Sequence, residues 1–274
     1  MHIGSTVQLN NGTEMPWLGL GVFRATDGEE VISAVKTALD YGYRSIDTAA
    51  VYHNEKGVGT GIRESGVARE DIFLTSKVWN SDQGYQTTME AFEASLEKLQ
   101  TSYLDLYLIH WPKGKLSLET WKAMEELAQK GKIKAIGVSN FLEHHLNEFL
   151  PNCKITPAVN QVEFHPHLVQ PNLLKYCQSN NIRLEAWSPI MKGRVNDIPV
   201  LQALAAKYRK TPAQIVLRWD IQKGVVTIPK SVNPERIRSN AEIFDFEIHA
   251  EDMEKIDRLD QNQRIGPHPD HIAF

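Results

Sequence analysis

In the stretch RSIDTAAVYHNEKGVG, residues 44–59, Asp47 and Tyr52 stand close together between a strand-like Ser45-Ile46-Asp47 and a helix-like run beginning at Glu55. A carboxylate and a phenol delivered to one end of one strand suggest proton transfer, yet a phenol with a reference pKa of about 10 is a poor acid at neutral pH. A cation about 4 Å away, at an effective dielectric of about 20, favours phenolate by roughly 4 kcal/mol, or about three pK units. Lys77, closing IFLTSK (72–77), is the candidate cation, and Asp47 would keep that lysine charged in a low-dielectric cleft. His110, closing YLDLYLIH (103–110), would hydrogen-bond a substrate oxygen beside Tyr52. Together Asp47, Tyr52, Lys77 and His110 make a proton-donating site for a carbonyl being reduced. Any one of them alone is more often a loop cap or a surface charge. Their weight comes from falling on three consecutive strand ends.

For those ends to meet, the strands must lie parallel, and the sequence supplies the alternation. VQLNNGTEMP (7–16) reads as a hairpin, because Asn11-Gly12 accepts positive φ between two short arms. Strand-like runs follow at 17–20, 44–47, 72–77, 103–110, 133–139, 158–163, 182–188 and 225–230. Helical spacing of apolar residues separates them at 29–41, 55–65, 87–99, 118–129, 144–150, 172–178, 199–208, 212–222 and 234–241, with another helix at 250–259. Parallel strands need helical crossovers, and this many repeats close a cylinder. The spacing therefore predicts an α/β chain: a (β/α)8 TIM barrel with an N-terminal β-hairpin and two extra helices, one domain over residues 1–274. An open doubly wound sheet fits less well, since neither GLGVFR (19–24) nor GVGTGI (57–62) is a GxGxxG turn. The glycines of the second run are expected to permit close helix packing.

In such a barrel the βα loops at the C-terminal strand ends build the site. Beyond the four residues above, those ends carry Trp79, Trp111, Ser139-Asn140, Gln161, Glu163, Trp187-Ser188 and Lys230-Ser231. Residues entering the strands look ordinary, and Asp105 and Tyr107 read as plain barrel residues. A net charge of −4 offers no basic field for nucleic acid or anionic membrane. Two cysteines, Cys153 and Cys177, form no disulfide framework, and no signal-like or membrane-spanning run is present, so a cytoplasmic protein is expected.

The segments GYRSIDTAAVY (42–52), LTSKVW (74–79), LDLYLIHWP (104–112), IGVSNF (136–141), VNQVEFHP (159–166) and TIPKSVNPERIRSN (227–240) resemble the aldo-keto reductase family over nearly the whole chain. The short form resembles the bacterial and protozoal branch that includes glyoxal and methylglyoxal reductases and protozoal prostaglandin F synthases. The resemblance implies a catalytic tetrad of Asp47, Tyr52, Lys77 and His110, with Tyr52 as proton donor and hydride from a nicotinamide. It implies NADPH/NADP+ as cofactor: Trp187 stacking on the nicotinamide, Ser139, Asn140 and Gln161 on its carboxamide, and Lys230, Ser231, Val232, Asn233 and Arg236 on the adenosine 2′-phosphate. Gly21, Val22, Asp47, Ser188, Ser239 and Asn240 complete the implied cofactor contacts, Asn240 at the adenine. Phe23 stands where many animal members have tryptophan, Trp187 where they more usually have tyrosine, and Ser239 where Glu or Gln often contacts adenine. Phe23, Tyr52, Trp79, His110 and Trp111 would line an open pocket for small aldehydes and α-dicarbonyls such as methylglyoxal or glyoxal. A monomer acting on small carbonyl compounds is expected.

The remaining histidines carry little. The pair His165 and His167 lacks a third metal ligand, no metal is expected, and His144, His145, His268 and His271 read as solvated. Two rival readings stay open: a Schiff-base aldolase using Lys77 or Lys230 as nucleophile, and a non-catalytic NADPH-binding subunit of the same fold.

Overall fold

A computed structural model describes residues 1–272. The hairpin forms as expected, β1 (Thr6–Gln8) antiparallel to β2 (Glu14–Pro16). Eight parallel strands follow in chain order: β3 (Leu20–Gly21), β4 (Ser45–Asp47), β5 (Phe73–Val78), β6 (Leu104–Ile109), β7 (Ile133–Ser139), β8 (Val159–Glu163), β9 (Arg183–Trp187) and β10 (Val226–Thr227). Parallel bridges Leu18↔Thr227 and Gly21↔Lys230 join the first of them to the last and close the cylinder. Helices α1 (Glu29–Tyr41), α2 (Glu55–Glu64), α3 (Tyr85–Leu99), α4 (Lys115–Gln129), α5 (Glu143–Phe149), α6 (Pro171–Ser179), α7 (Pro199–Tyr208), α8 (Pro212–Gln222) and α9 (Pro234–Ala241) alternate with the strands, and α10 (Ala250–Asp257) follows. The two extra helices are α7, ahead of α8, and α10, after α9.

Residue parity divides each strand between two cores. On β6, Leu106 and Leu108 point inward with Phe73, Ala135, Val159 and Val226, and the hairpin plugs that end with Leu9 and Met15. Tyr107 points outward and packs edge-on against Phe92 of α3, ring centroids 5.2 Å apart. The barrel bottom is thus sealed with apolar side chains, which leaves the opposite mouth for polar ones.

Three readings of the sequence need correction. The first and last barrel strands are shorter than expected, because Pro229 has no N–H to continue a ladder and acts only as acceptor, taking Gly21 N at 3.2 Å. The strand entrances are not all ordinary: buried Asp105 near the start of β6 binds Arg69 and Lys134, each at 2.8 Å. His144 and His145 are not simply solvated. Asp270 Oδ1 lies 2.9 Å from His144 Nε2 and 3.1 Å from His145 Nε2, so the C-terminal segment folds back onto α5. These three residues could be mistaken for a metal triad, their ligand atoms lying within 4.8 Å of one another. But His145 Nδ1 accepts the backbone N–H of Leu142 at 3.1 Å, so the neutral ring carries its proton on Nε2 and donates there.

The glycines of α2 permit close packing as expected. A Cβ on Gly59 would sit 2.4 Å from the Leu99 carbonyl oxygen, a backbone atom that cannot step aside. Gly59→Ala is expected to lower stability by about 3 kcal/mol through overpacking, read as a drop in the urea midpoint at unchanged m-value.

Candidate active site

At the mouth the inward-facing residues turn polar, and the register sets their heights. Asp47 of β4 pairs with Thr75, Lys77 of β5 with Leu108, Ser139 of β7 with Gln161, and Gln161 of β8 with Glu185. Lys77 is 0% exposed and Asp47 2% exposed, so their ion pair operates away from water. Lys77 Nζ donates to Asp47 Oδ1 at 2.7 Å and to the Thr48 carbonyl at 2.8 Å. Burial pulls the ammonium pKa down, but the Asp47 carboxylate, by its charge and its hydrogen bond, holds it above its ordinary value. A lysine fixed in its charged form is the opposite of what a Schiff-base nucleophile requires.

Tyr52 follows β4 in a short 3-10 turn, Ala50–Tyr52, and its ring centroid lies 5.1 Å from Lys77 Nζ. The residue is partly exposed at the mouth. The Tyr52 phenol is not net-lowered as the sequence suggested. Burial raises the phenol most, Lys77 pulls it down, Asp47 pushes it up, and the result stands above the ordinary value. At rest Tyr52 therefore holds its proton.

His110, at the end of β6, meets Tyr52 edge-on at 5.8 Å and Trp79 edge-on at 5.0 Å, and stacks with Trp111 at 6.4 Å. Burial and then the Lys77 charge push the imidazole well below its ordinary pKa, so it is neutral. Its Nδ1 is buried with no partner. Orphaned acceptors cost less than orphaned N–H groups, which puts the proton on Nε2. Phe23, half exposed, leans on Tyr52 at 5.0 Å and completes an aromatic rim with Trp79 and Trp111.

The residues expected around a nicotinamide gather at the same mouth, but several are already engaged. Asn140, held at φ 65°, donates to the His110 carbonyl at 2.9 Å and accepts Trp187 Nε1 at 2.8 Å, so it braces the site. Ser139 Oγ donates to the Gln161 carbonyl at 2.8 Å. Gln161 Nε2 bridges Asp47 Oδ2 and Glu185 Oε2, both at 2.8 Å, and only its Oε1 remains to meet a ligand donor. Trp187 is flanked by the tail: a Cβ on Gly266 would fall 2.4 Å from its ring, and Glu163 accepts the Ile265 and Gly266 N–H groups at 2.6 and 3.2 Å. His165 lies 3.0 Å from the same carboxylate, buried in a structural contact. Ser188, next to Trp187, adopts φ 53°.

On the β10 side, Lys230, Ser231, Val232 and Asn233 lead into α9, with Asn233 Oδ1 accepting Arg236 N at 3.0 Å as its cap. Among the described residues neither Lys230 nor Arg236 enters an ion pair. Two cations at a helix N-terminus suit a phosphate. Ser239 and buried Asn240 lie further along α9, while Gly21 and Val22 close the gap to β4 through Val22 N donating to Asp47 O at 3.1 Å. Glu185 was not foreseen, although its inward parity with Trp187 in RLEAW marks it.

Comparison with known proteins points one way. The Aldo/keto reductase family profile matches residues 12–261. A glyoxal reductase of Bacillus subtilis is 60% identical over 98% of this chain and 98% of its own. A methylglyoxal reductase, DkgA, of Escherichia coli is 47% identical over 98% of each. Among solved structures, a mutant of Gox0644 in complex with NADPH superposes with a TM-score of 0.93 at 42% identity, over 98% of this chain and 99% of that one.

Proposed function

The chain belongs to the aldo/keto reductase family, and from that premise we propose that it uses NADPH to reduce small aldehydes and α-dicarbonyls, glyoxal and methylglyoxal foremost, to alcohols. The observation that carries the reading is one buried ammonium, Lys77, held by Asp47 and Thr48 and set against a protonated Tyr52 beside a neutral His110. The substrate class follows from the aromatic rim and from the glyoxal and methylglyoxal reductases among the relatives.

The cofactor residues fit. Gln161 keeps one acceptor oxygen for a carboxamide, Trp187 offers a braced aromatic face, and Lys230 with Arg236 offers unpaired charge for a 2′-phosphate. Bound there, NADPH supplies the hydride. His110 donates a hydrogen bond from Nε2 to the carbonyl oxygen and orients it. Tyr52 gives its proton to the same oxygen, and Lys77 stabilises the phenolate left behind.

A steady-state panel of aldehydes, dicarbonyls, keto acids and sugars with NADPH and NADH tests the reading, and absence of NADPH oxidation with every carbonyl would refute it. Lys230→Ala is expected to raise KM for NADPH about tenfold or more, the cost of one charge-assisted phosphate contact, with little effect on KM for NADH. Equal effects on both cofactors would remove Lys230 from the phosphate site.

A further inference from the structure

Glu185 is a second carboxyl group in the well, and its setting is unusual. It is fully buried on β9, level with Gln161 on β8 and with apolar Val226 on β10. Its Oε2 accepts Gln161 Nε2 at 2.8 Å, the nitrogen that also donates to Asp47 Oδ2 at 2.8 Å. Its Oε1 is buried without a partner. One amide nitrogen therefore ties together two carboxyl groups in a space whose cation, Lys77, is already paired with Asp47 at 2.7 Å. The other titratable groups facing this space are Tyr52, after β4, and His110, at the end of β6.

Two like charges bridged by one donor in low dielectric do not both ionise. Asp47 holds the ammonium, so Glu185 is the one that keeps its proton; burial first, then the Asp47 charge, push it up to about 8. An unpartnered oxygen on a buried neutral carboxyl is also far cheaper than one on a carboxylate.

We propose that Glu185 is a positioning residue for carbonyl reduction: as a neutral carboxyl it sets the charge of the well in which Tyr52 releases its proton, and its ionisation ends the reductive range on the alkaline side. This rests on Tyr52 as the proton donor. In the reduction the Tyr52 O–H bond breaks, its proton goes to the substrate oxygen, and a phenolate remains. No bond of Glu185 changes in that step. An ionised Glu185 adds a second negative charge that opposes the phenolate. Reduction is accordingly favoured while Glu185 is protonated and lost as pH rises through its titration.

The test is the pH profile of kcat for aldehyde reduction at saturating NADPH, between about pH 6 and about pH 10, for the wild type and Glu185→Gln. The amide introduced in that variant keeps an acceptor oxygen for Gln161 but cannot ionise. The wild type is expected to lose about tenfold per pH unit above about pH 8, and the variant's alkaline limb is expected to lie about one unit higher or more. Infrared difference spectra of the two proteins, taken without substrate, should show a protonated-carboxyl band of Glu185 at neutral pH that disappears with the midpoint of the wild-type limb. In the wild type alone, a carboxyl band titrating in step with kcat carries the same information. An alkaline limb that survives unmoved in Glu185→Gln, or a carboxyl already ionised at neutral pH, overturns the proposal. Failure of the proton-donor reading would appear separately, as turnover retained in Tyr52→Phe.

Discussion

Tyr52→Phe is expected to lower kcat for carbonyl reduction about a thousandfold while leaving the Kd of NADPH nearly unchanged. The substitution removes one oxygen and keeps the ring. The packing against Phe23 at 5.0 Å and the edge contact with His110 at 5.8 Å are ring contacts and should survive. No neighbour replaces the lost acid. His110 is held neutral by burial and by the Lys77 charge, and a neutral imidazole N–H orients a carbonyl without protonating it at a useful rate. Lys77 commits two of its three N–H groups to Asp47 and Thr48, and its raised pKa makes it a weak acid. Stopped-flow turnover with methylglyoxal, alongside fluorescence titration with NADPH, separates chemistry from binding. Turnover within about tenfold of the wild type would remove Tyr52 from the acid role.

Much of the candidate site was legible in the sequence because a parallel barrel turns chain order into geometry. Asp47, Lys77 and His110 end neighbouring strands, and the register sets those strands side by side. What resisted reading is what depends on depth. The sign of the Tyr52 shift turns on burial exceeding the pull of Lys77, and no spacing in VYHNEK reports how deeply a hydroxyl sits. Glu185 alternates with Leu184 and Ala186 in IRLEAW, where a carboxyl looks like an outward-facing strand residue; only parity with Trp187 tells that it faces the well. Asn140 and Gln161 were read as ligands for a cofactor, and their commitments to Trp187, Asp47 and Glu185 appear only once four strands are closed around them. The contact of Asp270 with His144 and His145 joins segments far apart in the chain with no shared periodicity, so histidines of polar surroundings passed for solvated ones.

Lys77→Met should damage both folding and chemistry, and the two losses can be told apart. Removing the ammonium leaves the Asp47 carboxylate buried with Gln161 as its remaining side-chain donor and leaves the Thr48 carbonyl without the lysine. Breaking a buried pair from one side costs about 3–5 kcal/mol, because the surviving charge is uncompensated. Stability should therefore fall by that amount in urea denaturation, and kcat should fall at least as far as in Tyr52→Phe, since the phenolate loses its counter-ion as well. The double substitution Asp47→Asn with Lys77→Met removes both charges and keeps an acceptor for Gln161. Replacing a whole buried pair by neutral groups is near neutral for folding, so the double variant should regain most of the lost stability. It should regain none of the turnover, because the positive charge beside Tyr52 is still missing. If activity instead returned with stability, the pair would be a structural brace alone and the phenol would not depend on its neighbour.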